Sequence, residues 1–166
     1  AHGRKDEREI ENILIRGLLI AFILGSLAVL SAPISIWITN IALSASAKVE
    51  QLMNLYVGIR LFAVPAALGN MVLLGCLFGR QQMRLCMAQI LIVNLGNLVL
   101  NIYFVVGLGM KIDGVALASV IAQWSGFIVT LAIIGWKWRG MFAGLWHRLT
   151  ARHPAWLDIS AFAQFF

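Results

Sequence analysis

Residues 13–38 read ILIRGLLIAFILGSLAVLSAPISIWI, and Arg16 is the one charged residue among them. A helix needs about 20 apolar residues to cross the hydrocarbon core of a bilayer, so this run can span a membrane. Pro33, near its far end, is expected to kink the helix. Three further apolar runs follow at about 56–78, 86–106 and 115–136. The sequence therefore predicts an all-α, polytopic helical membrane protein with four transmembrane helices within 1–136.

The composition leads to the same prediction. Of the 166 residues, 61% are hydrophobic and 12% are charged, and the mean hydropathy is +0.88. Soluble domains have about 45–50% apolar and about 25% charged residues. A charge at the bilayer centre costs at least about 2.5 kcal/mol, and no carboxylate falls inside a long apolar run. The seven carboxylates are Asp6, Glu7, Glu9, Glu11, Glu50, Asp113 and Asp158. We therefore expect membrane lipid to surround the chain.

The formal net charge of +6 does not indicate a nucleic-acid-binding protein. The basic residues lie at the ends of apolar runs and not along one face with interleaved aromatic residues. Such residues orient a membrane protein, because cytoplasmic loops carry the excess of Lys and Arg. Ten lie on one predicted side and three on the other: Arg4, Lys5, Arg8, Arg16, Arg80, Arg84, Lys137, Arg139, Arg148 and Arg152 against Lys48, Arg60 and Lys111. We therefore expect both ends of the chain to be cytoplasmic.

Residues 137–166 follow the last predicted span. The part over 137–158 combines Lys and Arg with tryptophans, including Trp138, Trp146 and Trp156. This composition is typical of an amphipathic linker at the membrane surface, with aromatic rings at headgroup depth. A lipid-binding or regulatory helix is the alternative. The chain starts without Met and stops in an apolar string, so we expect it to be a piece of a longer protein whose remaining helices are its partners.

The sequence carries no motif of an enzyme. It has no glycine-rich phosphate loop, no nucleophile elbow and no zinc-ligand spacing. His2, His147 and His153 lie in polar flanks, and Cys76 and Cys86 lie in or beside apolar segments without metal or redox spacing. We therefore expect no catalytic activity, no bound metal and no organic cofactor.

Polar side chains inside the predicted spans are the informative residues, because hydrocarbon offers them no hydrogen-bond partner. Asn94, Asn97 and Asn101 fall within an arc of about 60° on the third helix. Ser119, Gln123 and Thr130 fall within about 40° on the fourth. Tyr56 and Asn70 project to a similar side of the second. Three helices with such polar stripes favour a shared polar cavity, while hydrogen-bonded packing between helices is the alternative. The predicted cavity residues are Tyr56, Asn70, Asn94, Asn97, Asn101, Ser119 and Gln123.

Arg60 lies close to the start of the second predicted span. Its long side chain can reach the membrane interface from there. A structural ion pair with a carboxylate in a segment outside this sequence is the alternative.

Several of these residues belong to motifs of a known family. The chain resembles the multidrug and toxic compound extrusion (MATE) family in its DinF-like branch over nearly its whole length. The similarity begins at residues 1–7, AHGRKDE, and continues through Tyr56-x-x-x-Arg60-x-x-x-x-Pro65 and GCLFGR at 75–80. It is strongest in NLVLNIYFVVGLG at 97–109, followed by GVALAS at 114–119.

The resemblance implies that the four spans are helices three to six of a twelve-helix, two-lobe transporter, within its N-terminal lobe. Such proteins of the bacterial inner membrane export organic cations or drugs in exchange for H⁺ or Na⁺. Alternating access then comes from rocking one lobe against the other. The expected substrate is a small organic compound, and the expected coupling ion is H⁺ or Na⁺.

The same resemblance assigns roles by position. Tyr56, Asn97 and Ser119 match polar positions of the N-lobe cavity. Asn101 departs from the pattern, since this position is commonly Asp in DinF-like proteins and an amide cannot take up a proton. Either coupling then depends on an acid in the first helix, outside this sequence, or the coupling ion or the mechanism differs. Two other functions stay open: a lipid-linked oligosaccharide flippase of the same superfamily, with Arg60 facing the cavity, and a membrane scaffold that transports nothing.

Overall fold

The structure is a computed structural model that describes residues 2–43 and 46–138, with side chains described for 10–41 and 46–138. Six α-helices follow one another in this part of the chain: α1 (His2–Leu30), α2 (Ala32–Leu43), α3 (Ala47–Leu61), α4 (Val64–Gly79), α5 (Met83–Asn101) and α6 (Ile112–Lys137). A π-helical segment, Ile102–Gly107, continues α5. The predicted linker from residue 139 onward lies outside the described residues.

Three helical segments are long and apolar enough to cross a membrane: Ile10–Leu30, Met83–Gly107 and Ile112–Lys137. Helices α3 and α4 meet the same criterion together, as a pair bent by 44°. The described chain therefore has three candidate spans, or four if the bent pair is one span. The prediction of an all-α, polytopic membrane protein is confirmed.

The helix boundaries differ from the predicted ones in the first half of the chain. Instead of one helix over 13–38, α1 ends at Leu30 and α2 begins at Ala32, with Pro33 in its first turn. Proline lacks the backbone N–H that the preceding turn would need, and it is tolerated at the start of a helix. Much of the predicted loop over 39–54 is helical, because α2 runs to Leu43 and α3 begins at Ala47.

The sequence predicted Arg60 close to the start of a span, but the structure places it elsewhere. Helix α3 begins thirteen residues earlier, at Ala47, so Arg60 lies in its last turn, beside the bend into α4. The polar segment before Tyr56 is helical, and this moves the start of the element toward the N-terminus. The Arg60 side chain is exposed there.

Helix α6 lies at the centre of the bundle, where it packs against α3, α4 and α5. Helix α1 packs along α4 in the opposite direction, since Gly17 lies against Val72 and Gly25 against Pro65. The buried core joins α1, α4, α5 and α6 through Leu14, Ala66, Leu73, Leu77, Cys86, Phe127 and Ile134. Many large apolar side chains elsewhere are exposed, as in a protein surrounded by lipid or by further helices.

Candidate polar site between α4, α5 and α6

Three amide side chains from three different helices form a chain of hydrogen bonds, which we call the Asn70 network. Gln89 Nε2 on α5 donates to Asn70 Oδ1 on α4 at 3.1 Å. Asn70 Nδ2 in turn donates to Gln123 Oε1 on α6 at 2.9 Å. The same donors also reach main-chain carbonyls, Asn70 O at 3.0 Å and Gln123 O at 2.9 Å. Asn70 and Gln89 are buried, so these bonds form away from solvent.

A second set, the Asn97 network, lies farther along α5 and toward the start of α6. Asn97 Nδ2 donates to Ser119 Oγ at 3.0 Å, and this bond joins the two helices. Asn101 Nδ2 donates to Asn97 Oδ1 at 2.7 Å and to Asn97 O at 2.9 Å. Ser119 Oγ donates to Val115 O, one turn back on α6. Asn101 is the last α-helical residue before the π-helical segment, and such segments are frequent at functional sites.

Close contact between α5 and α6 lets these short side chains meet. Gly126 on α6 packs directly on the Val93 side chain, and a Cβ added at Gly126 would overlap it. The same Cβ position lies 3.8 Å from Asn70 Nδ2. Small residues at membrane helix interfaces allow this kind of approach.

A cleft of about 190 Å³ opens beside the Asn70 network. Its polar lining comes from Asn70, Gln89, Asn94 and Gln123. Asn94 is exposed, and its Nδ2 donates to Ile90 O in its own helix at 2.9 Å. Asn94 therefore presents an amide to the cleft without joining another helix, unlike Asn70.

The site can form hydrogen bonds but cannot exchange protons, because amides and hydroxyls do not titrate near neutral pH. Two of its oxygens, Gln89 Oε1 and Asn101 Oδ1, are buried without a hydrogen-bond partner among the described residues. A buried acceptor of this kind is stabilised by a donor or a positive charge. In the described part of the chain, no cluster of His, Cys, Asp and Glu could hold a metal ion.

The structure divides six of the seven predicted residues into separate groups. Asn70, Asn94 and Gln123 line the cleft between α4, α5 and α6. Asn97, Asn101 and Ser119 lie between α5 and α6 and do not line it. Tyr56 is the exception: it lies half-buried on α3 and makes no hydrogen bond with either network in the described chain. Thr130, also on the predicted stripe of α6, is buried, and its hydroxyl has no partner among the described residues.

Sequence reasoning missed Gln89. It lies about 140° from Asn94 around α5, outside the arc of the three asparagines. The feature of the sequence that could have identified Gln89 is that it is an amide within an apolar run. Only the position of α4 beside α5 makes it part of the site.

Comparison with known proteins gives one informative match. No family profile matches the sequence, and no solved structure matches it. The chain is 35% identical over 135 residues to DNA damage-inducible protein F of Escherichia coli (strain K12), a MATE family member. The match covers 81% of this chain and 29% of that relative. The chain belongs to the MATE family. It is DinF-like, and it is a membrane protein.

The chain thus spans about three tenths of the length of the MATE protein it matches, 29%. The family resemblance predicted from the motifs around Asn97 and Gly114 is confirmed. Membership in a family of transporters also agrees, indirectly, with the expectation that the chain is not an enzyme.

Proposed function

We propose that this MATE chain forms part of the N-terminal lobe of a secondary transporter that exports organic cations or drugs in exchange for H⁺ or Na⁺. The single observation that carries the proposal is a buried oxygen without a hydrogen-bond partner among the described residues, Gln89 Oε1, on a residue that lines a cleft of amides. Oxygen acceptors without donors favour a cation or a hydrogen-bond donor as the ligand.

In the proposed mechanism, the organic compound enters from the cytoplasm and lies against Asn94 and Gln123 at the cleft. Asn97, Asn101 and Ser119 support the wall behind it. Binding of the coupling ion at an acid outside this chain shifts the population between inward-open and outward-open states, because the two states differ in affinity. In this proposal the protein is in the bacterial inner membrane with both ends of the chain cytoplasmic.

The test is efflux of a fluorescent organic cation from proteoliposomes that contain the full-length protein. Asn97→Ala and Ser119→Ala should each lower transport per folded molecule by up to about tenfold, since each removes a neutral hydrogen bond that contributes about 0.5–1.5 kcal/mol. Asn40→Ala on α2 and Thr39→Ala, whose hydroxyl bonds its own helix at Ser35 O, are the matched controls. The proposal fails if the cavity variants and the controls transport equally well.

One observation favours a scaffold without transport. The two networks use most of their polar atoms to join α4, α5 and α6 to one another, as packing contacts would. Cysteines placed at positions 94, 97 and 123 separate the two functions. Labelling by a water-soluble maleimide at 94 and 123 supports a wet cavity, while no labelling at any of the three supports a scaffold.

A further inference from the structure

A groove of about 350 Å³ runs between α1 and α4, on the opposite side of α4 from the polar site. Its walls are apolar and include Ile13 and Gly17 on α1 and Val72, Gly75, Cys76 and Gly79 on α4. A Cβ added at Gly75 or Gly79 would meet no atom within 4 Å, so this wall is open. In a membrane protein, such a groove suits an acyl chain.

The end of the groove at Gly79 leads directly to a cluster of cations and an aromatic ring. The Arg80 guanidinium lies 4.4 Å from the centre of the Trp138 ring. Lys137 Nζ lies 5.7 Å from the same ring and donates to Gln82 Oε1 at 2.6 Å. Arg84 is exposed two residues after Gln82, in the first turn of α5. We call Arg80, Arg84, Lys137 and Trp138 the basic edge.

One carboxylate lies near the groove. Glu11 is buried on α1, next to Ile10, which also lines the groove. Glu11 and Arg80 each interact with other groups of the protein. Arg84 and Lys137 are exposed, so they supply the positive charge that a ligand outside the bundle would meet.

We propose that this surface is a binding site for an anionic phospholipid, with an acyl chain in the groove and the phosphate at the basic edge. Arg and Lys bind phosphate through charge-assisted hydrogen bonds, and juxtamembrane cations attract anionic lipid headgroups. With the lipid bound in this way, Trp138 would lie at headgroup depth, where tryptophan is enriched in membrane proteins. A neutral lipid lacks the charge for this site, and free phosphate lacks the chain that would fill the groove. The site is separate from the proposed transport cavity.

The test uses the full-length protein in detergent, with native mass spectrometry to count retained phosphatidylglycerol. The double variant Arg84→Gln/Lys137→Gln should bind this lipid at least about tenfold more weakly, because each cation near the surface adds to the attraction. Lys48→Gln/Lys111→Gln removes the same charge from the opposite end of the helices and should retain it like the wild type. Equal retention by both double variants overturns the proposal.

A second pair of variants tests the groove. Gly75→Leu should fill it and lower phosphatidylglycerol retention, while Gly58→Leu, at another position with no atom within 4 Å, should not. Unchanged phosphatidylglycerol retention in Gly75→Leu overturns the proposal. If this variant also has a lower melting temperature, or loses a dimer that the wild type forms, another helix or a second copy covers the groove instead of a lipid.

A third measurement needs no variant and holds even if the charge variants fail to fold. Phosphatidylglycerol should raise the melting temperature of the wild-type protein more than phosphatidylcholine or inorganic phosphate does. Equal stabilisation by phosphatidylcholine would indicate a neutral lipid site, and equal stabilisation by inorganic phosphate would indicate an ion site. Both outcomes contradict the proposal.

Discussion

At the scale of single residues, Asn70 is the centre of the polar site. Its side chain accepts from Gln89 and donates to Gln123, so one residue joins three helices. It is 8% exposed and lies on α4, which the bend separates from α3. A buried amide without partners costs more than its hydrogen bond contributes, so Asn70 is strongly constrained by its neighbours.

We predict that Asn70→Ala lowers the free energy of unfolding by about 1–3 kcal/mol, because Gln89 and Gln123 then lose partners inside the bundle. Asn94→Ala is the matched control, since the Asn94 amide bonds only its own helix and is exposed. Its effect should stay within about 0.5 kcal/mol. Unfolding of the full-length protein in mixed detergent micelles measures both, and equal losses would show that the Asn70 network does not stabilise the bundle.

At the scale of elements, the bend between α3 and α4 is held from two sides. Pro65 in the first turn of α4 cannot continue the ladder of α3, and proline is a frequent cause of sharp kinks. Trp124 Nε1 on α6 donates to Phe62 O at the bend, at 3.0 Å. From the other side, Gly25 of α1 lies against Pro65. Proline therefore interrupts the helix at this position, and tertiary contacts with α1 and α6 hold the resulting bend.

The contact at Gly25 gives a prediction for the pairing of α1 with α4. A Cβ added at Gly25 would lie 2.5 Å from Pro65 Cα, a main-chain atom that no rotamer change can move away. Gly25→Ala should therefore destabilise the protein by about 1–3 kcal/mol through overpacking. Gly58→Ala on α3 meets no atom within 4 Å and should be neutral, or more stable by up to about 1 kcal/mol. Melting temperatures in detergent test this, and equal values for the two variants would contradict the close packing.

At the scale of the whole molecule, charge separates the two ends of the bundle. Arg80, Arg84 and Lys137 share one edge, because the connection after α4 contacts the end of α6. Lys111 lies at the other end of α6, about 39 Å away at a rise of 1.5 Å per residue. This distance exceeds the hydrocarbon thickness of a bilayer, so the two groups of cations can lie on opposite sides of it.

The orientation predicted from the cation count is tested by cysteine labelling in intact cells. Cys76 and Cys86 are first replaced by alanine. Lys111→Cys should then react with a membrane-impermeant maleimide from outside, whereas Arg84→Cys should react only after the cells are opened, because the side richer in cations stays cytoplasmic. The opposite pattern would place both ends of the chain outside the cytoplasm.

The amino-acid sequence was sufficient to predict the class of fold and the family. Apolar runs that are long enough to cross a bilayer as helices predict transmembrane helices, because the backbone must satisfy its own hydrogen bonds in lipid. The motifs around Asn97 and Gly114 are specific enough to be recognised without a structure. Helical periodicity also predicted that Asn97 and Asn101 share one face of α5 and that Ser119 lies on the polar face of α6, because periodicity depends only on the spacing along one helix. Which polar groups contact one another depends on how the helices pack. Gln89 reaches Asn70 and Trp124 reaches Phe62 through contacts between distant segments, and spacing along a single helix carries no information about its neighbours.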